Sequence, residues 1–304
     1  MPTFTCSSTK PCPMGLADFG TNGKSTYSYK AVTFESWANF TALTIGAAKP
    51  SETCPASGST QCMTIQQNQV DYKVYEQGSS SPIAGEYWAQ DVPFVSQIGS
   101  NYYVNQVDNI WNFSSYPSEM GGTIYPNLLS NCAHTGGQPT YYECTGNLQL
   151  AVTLPFEIMI TIITGVLSSG THSGSSYIEF GIWVYHSDTL VGGDDFDEVA
   201  FNGAAAAHPY FYVNGKGTNP YGLYNDAETV LAGPGSGSSI SITSVKATFS
   251  ESYKSPTSST LVKLPHAWSA GYDTAETASG VEMSSTTKGT GIASTGVDSK
   301  KQLW

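Results

Sequence analysis

Apolar and polar residues alternate in short runs along this chain, and they almost never recur at the three-to-four spacing of a helix. Residues 70–75, 102–107, 149–154, 158–163, 177–185, 210–213 and 239–249 are β-branched or aromatic, often alternating, and bounded by Gly, Ser, Asn or Pro. Such runs predict strands. The clusters Gly78-Ser79-Ser80-Ser81-Pro82, Gly192-Gly193-Asp194 and Gly233-Pro234-Gly235-Ser236-Gly237 predict the loops between them. Many short strands at this spacing predict an all-β, antiparallel, sandwich-like fold, built as one unit or as two packed β units. The most apolar stretch, residues 148–167, is interrupted by Gln149, Pro155, Glu157 and threonines. It predicts two buried strands broken near Pro155, not a membrane span. Residues 204–207 suit a short helix or a small-residue strand.

Domain organisation follows from the same pattern. Residues 1–280 carry the strand signals, with a sub-boundary placed in the Gly/Asn/Cys-rich stretch at 120–150. Residues 281–304 are rich in Ser, Thr, Gly and Lys and predict a loosely held C-terminal tail.

Charge narrows the partners. The chain has 304 residues, 24 carboxylates and 12 lysines, no arginine, and a net charge of −12 at pH 7. That balance excludes nucleic acid and anionic membranes as expected partners. Charged residues make up only 12%, half the roughly 25% of an ordinary soluble domain. In acid the carboxylates are neutral, and lysines plus histidines leave about +17, a modest load for this length. Self-repulsion in acid is therefore limited. A neutral secreted protein with an uncharged polar coat fits equally.

The six cysteines fall in three close pairs, Cys6/Cys12, Cys54/Cys62 and Cys132/Cys144. None forms C-x-x-C, so three short-loop disulfides and an oxidising, extracellular compartment are expected, with connectivity open. The sequons Asn39-Phe40-Thr41 and Asn112-Phe113-Ser114 agree with a secreted glycoprotein. The polar opening Met1-Pro2-Thr3-Phe4 is that expected of a mature form behind an added methionine.

Several chemistries drop out. His134, His172, His186, His208 and His266 stand singly, without a zinc motif. There is no G-x-S-x-G elbow, and Gly233–Gly237 lacks the Lys-Ser/Thr of a phosphate loop. The acidic turn Asp194, Asp195, Asp197, Glu198 lacks calcium-loop spacing. No metal or other cofactor is expected. Carboxylates remain. Asp226 and Glu228 are two apart, so on a strand they share a face. In a dry site they hold one proton between them and supply an acid and a base. Two acids flanking a solvated strand end would have the same spacing. Asp273 and Glu276 repeat the theme at a tight turn.

Pro13-Met14-Gly15-Leu16-Ala17-Asp18-Phe19-Gly20 resembles the N-terminal signature of the thermopsin family of acid endopeptidases. Later motifs follow in the family's order. They are Gln66-Gln67-Asn68, Tyr87-Trp88-Ala89-Gln90-Asp91-Val92, Asp108-Asn109-Ile110-Trp111-Asn112, Leu154-Pro155-Phe156, Phe196-Asp197-Glu198-Val199-Ala200-Phe201, Asp226-Ala227-Glu228 before Gly233-Pro234-Gly235, and Asp273-Thr274-Ala275-Glu276. The resemblance spans residues 13–280. It implies a secreted acid protease acting on polypeptides beside apolar and aromatic residues; the close cysteine pairs are not part of the family's pattern. It does not assign the catalytic pair.

Physical grounds put Asp226 with Glu228 first, then Asp18 and Asp273, each beside Gly and an aromatic residue. Gln90 is the candidate donor to an oxyanion, and Tyr87, Trp88 and Trp111 are candidate walls of a substrate cleft. The rival readings are a carbohydrate- or surface-binding β-sandwich, a structural subunit of an extracellular layer or filament, and a glycosidase.

Overall fold

A computed structural model of the chain describes residues 12–50, 53–73, 87–112, 124–126, 130–135, 140–146, 148–170, 173–174, 176–200, 209–215, 224–235, 237–271, 274–296 and 302–303. Among these residues every regular element is a strand, and the strands form two sheets. The first has the order Gln302–Leu303, Ala267–Ala270, Met14–Asp18, Ala227–Ala232, Gln61–Lys73, Tyr87–Ile98, Asn101–Asn112, Thr140–Gly146, Ser130–Thr135. The second centres on Ser239–Lys254, Thr33–Ile45, Phe156–Val166 and Ser176–His186. Neighbours run antiparallel except Ser239–Lys254 with Thr277–Ser279, which is parallel.

Alternation decides which residues fill the space between the sheets. In Phe156–Val166 the residues Phe156, Ile158, Ile160 and Ile162 are all fully buried, while those between them are mostly half-buried. Phe40, Phe156, Phe249 and Tyr102 form one aromatic knot there, with centroids 5.1–6.0 Å apart. Removing one such ring costs about 3–5 kcal/mol. Residues 148–167 form two strands on either side of Leu154–Pro155, as the pattern predicts. Leu150–Val152 joins the first sheet and Phe156–Val166 the second, so the break lets the chain cross between layers.

Three expectations are corrected. Gly192 and Gly193 lie inside the strand Thr189–Ala200 and not in a loop. A Cβ on Gly193 would sit 2.7 Å from the Trp183 ring, so the glycine makes room for the indole across the ladder. The tail beyond 280 is not loose over its first half. Val281–Thr287 and Thr290–Thr295 form a hairpin on the edge of the second sheet, with Val281, Met283 and Ala293 fully buried. Asn112 is 2% exposed, which leaves its sequon no access for a glycan in the folded protein. Residues 78–82 and 204–207 lie outside the described residues.

Candidate active site

The first sheet turns one face toward the second and the other toward a cleft of about 440 Å³. Register fixes what the cleft face carries. Glu228 stands opposite Asn68, Asn68 opposite Gln90, Gln90 opposite Asn109, and Asn109 opposite Glu143. Directly opposed residues share a face, so this register line sets Glu228, Gln90, Asn109 and Glu143 on one face of the sheet. Two residues along the strands, Trp88, Trp111 and Tyr141 form a stacked aromatic ladder, with centroid separations of 6.2 and 4.2 Å. Gln66, Gln90, Asn109, Trp111, Tyr141 and Glu276 all line the cleft.

Two supports frame this face. Glu276 accepts the Gly237 N–H at 2.9 Å and the Thr274 hydroxyl, tying the Pro234–Gly235 turn to the 274–276 segment. Gly271 closes over Glu228, and a Cβ there would lie 2.4 Å from Oε2. Glu228 is fully buried, as is Asp226 one residue before the strand. Asp226 precedes the first paired residue, Ala227, so the ladder fixes the face of Glu228 and not that of Asp226.

Asp18 points the other way. It pairs with Ala227 while Ala17 pairs with Glu228, so one residue of offset puts Asp18 and Glu228 on opposite faces of neighbouring strands. Asp18 is fully buried between the sheets, accepting from the Tyr27 hydroxyl, the Gly20 N–H (2.9 Å) and the Tyr29 hydroxyl (3.1 Å). Burial outweighs these three bonds and raises its pKa to about 7. Glu251, from the second sheet, faces the same interior and is also raised well above the carboxylate range. Burial is the main cause, the Thr229 hydroxyl offsets part of it, and Asp18 and Glu228 add repulsion. Gln67 Nε2 donates to Ser36 Oγ at 2.6 Å, and the Ser36 and Thr229 hydroxyls are hydrogen-bonded to each other. Asp91 and Asp108 form a second interior pair, directly opposed and at most 1% exposed.

The structure thus separates the predicted residues. Register puts Glu228, Gln90, Trp88 and Trp111 on one face of the first sheet, where Gln90 and Trp111 line the cleft and Glu228 is buried under Gly271; Asp226 is fully buried just before that strand. Asp18 stands behind that face. Tyr87 is corrected: it is fully buried in the apolar core with Ala89 and Ile110, because alternation turns it away from Trp88. Asp273 and Cys6 lie outside the described residues, as does the Cys132 side chain. Cys54–Cys62 is a disulfide, and Cys12 and Cys144 are each disulfide-bonded. The ladder sets the Cys132 backbone opposite Cys144. No cluster of three or more metal-ligating side chains occurs among the described residues.

Sequence reasoning missed Glu251 as well as the cleft residues Gln66, Asn109, Tyr141 and Glu143. Glu251 had a signal. It occupies the register of the buried Ala247 and Phe249 in an alternating strand, where an apolar residue is expected.

A family model described as Thermopsin matches residues 1–281, and no curated protein matches the chain.

Proposed function

Because the chain belongs to the thermopsin family of acid peptidases, we propose that it is a secreted endopeptidase whose cleft-face carboxylates activate water in acid, without a metal. The observation that carries this reading is the register line that sets Glu228, Gln90, Asn109 and Glu143 on one face of the first sheet, with Gln90, Asn109 and Glu143 lining an open cleft beside the buried Glu228. An extended polypeptide lies along that line, with its aromatic side chains against Trp111 and Tyr141.

In the proposed reaction Asp226 and Glu228 hold one proton between them. The ionised partner takes a proton from water, and the water oxygen bonds to the peptide carbonyl carbon. The neutral partner gives its proton to the carbonyl oxygen. When the C–N bond breaks, the leaving amine takes the proton that came from water, the carbonyl oxygen's proton returns to the carboxylate that gave it, and no covalent enzyme intermediate forms. Gln90 uses one amide hydrogen on Gln66 and has a second for the developing oxyanion. Gln90 stands two strands from Glu228, roughly 9–10 Å between backbones. Two long side chains and a water span that gap. Asp18, neutral below about pH 7, braces the strand from behind. The disulfide supports an oxidising, extracellular setting.

The test is digestion of a denatured protein and of a polysaccharide at pH 2–4, with and without chelator. The protein alone is degraded, chelator changes nothing, and activity is confined to the window between the pair's two pKa values. Glu228→Gln and Asp226→Asn lower turnover by at least about 100-fold. Asp18→Asn lowers it less. Asp273→Asn is assayed in parallel as the remaining candidate. Unchanged turnover in the first two variants removes this pair.

A further inference from the structure

The cleft floor contains a chain of side-chain hydrogen bonds whose direction is set at one end. Thr64 Oγ1 donates to the Gly233 carbonyl at 2.8 Å. A carbonyl only accepts, so the threonine hydrogen is committed and its oxygen must accept from the next group. That group is Gln66 Nε2, at 3.0 Å. Gln66 then presents Oε1, which accepts from Gln90 Nε2 at 3.0 Å. Gln90 in turn presents Oε1, which accepts from Asn109 Nδ2 at 3.5 Å. The order leaves Asn109 Oδ1 as the outward end of the chain. Asn109 is 8% exposed and lines the cleft, and its Oδ1 is buried with no hydrogen-bond partner. Two residues along the same face, Trp111 lines the cleft with a buried, unpartnered Nε1. An unsatisfied buried acceptor costs about 1–3 kcal/mol, which a ligand donor relieves. One acceptor and one donor on a single face are the complement of a peptide group.

We propose that Asn109 is the specificity-determining acceptor of a peptide-binding subsite, receiving one main-chain N–H of an extended substrate whose aromatic side chain packs on Trp111 and Tyr141, and that Thr64 is a positioning residue holding the amide relay in its accepting direction. The assignment of the ligand as a peptide rests on the function proposed above. The relay itself does not.

The experiment uses a hexapeptide with a central Phe-Phe and analogues in which each amide in turn is an ester. An ester removes one donor with little change of shape. Binding is followed by tryptophan fluorescence in acid within the first milliseconds of mixing, before turnover. The intact protein loses affinity about tenfold for one ester position, the worth of a single good hydrogen bond. Asn109→Leu shrinks that penalty below about twofold, and so does Thr64→Val, which leaves Asn109 in place but frees the relay to invert. Asn109→Asp, neutral in acid and still offering an oxygen, keeps it. An ester penalty unchanged in Asn109→Leu, or no position-specific penalty in the intact protein, overturns the proposal. A position-specific penalty without cleavage sinks the peptidase reading and leaves the subsite. Cleavage with a penalty indifferent to Asn109 does the reverse.

Discussion

At the scale of single residues, the carboxylates divide by a property that spacing cannot show, namely which side of a strand each faces. Two-residue spacing proposes Asp226 and Glu228 as a pair, but Asp226 lies one residue before the strand that holds Glu228, where alternation does not fix its face. Asp18 was legible as a candidate from its aromatic and glycine neighbours. Its separation from Glu228 depends on a one-residue offset between strands more than 200 positions apart in sequence. Gly271 was not legible as a contact at all. A methyl group there meets Glu228 Oε2 at 2.4 Å and Val230 Cγ1 at 2.7 Å, so the carboxylate must swing away. Gly271→Ala is expected to lower turnover by tenfold or more while costing only about 1–2 kcal/mol of stability. Digestion rates compared with urea midpoints check it, and full activity in this variant would remove Glu228 from the reaction.

At the scale of elements, strand existence was legible and strand partners were not. Alternation in residues 158–163 and 177–185 specifies strands with one apolar face, and those strands form. The Gly192-Gly193 pair carries a turn signal by composition, yet the bulk of Trp183 converts it into a strand position. The hairpin beyond 280 shows the converse error. Its Ser and Thr residues made it resemble a solvated tail, but its few apolar residues are correctly spaced to enter the core. Deleting residues 281–304 removes Val281, Met283 and Ala293 from full burial. The deletion is expected to cost on the order of 5 kcal/mol, comparable with the whole stability of many domains. A cooperative melt at the full-length temperature would show that the hairpin is dispensable.

At the scale of the whole molecule, the interior is built for acid. Asp18 is raised from 3.8 to about 7, chiefly by burial, and Glu251 faces it from the other sheet with Tyr29, Tyr253 and Lys263 nearby. Between pH 4 and 7 the folded state keeps the Asp18 proton that the unfolded state has lost. The unfolded state binds fewer protons, so stability falls as pH rises. The contribution is fully present below about pH 4 and is lost on passing through 7. It amounts to roughly 4 kcal/mol for Asp18, and Glu251 has the same sign. Urea midpoints at pH 3, 5 and 7 should therefore fall in that order, and Asp18→Asn should flatten the trend. A midpoint that rises toward neutrality would contradict this account of the interior.

Local order, alternation and composition are properties that neighbouring residues settle among themselves. The sequence accordingly determined the all-β class, the strands, the scarcity of charge and a family signature. Register, the facing sheet and the closure of Gly271 over a carboxylate involve residues tens to hundreds of positions apart. Only the tertiary structure decided them. It placed Asp18 behind the cleft, set Glu251 opposite it, turned Tyr87 into the core, and aligned Thr64, Gln66, Gln90 and Asn109 into a directed relay, because the packing of one sheet on another selects a single register from many that the strands alone would allow.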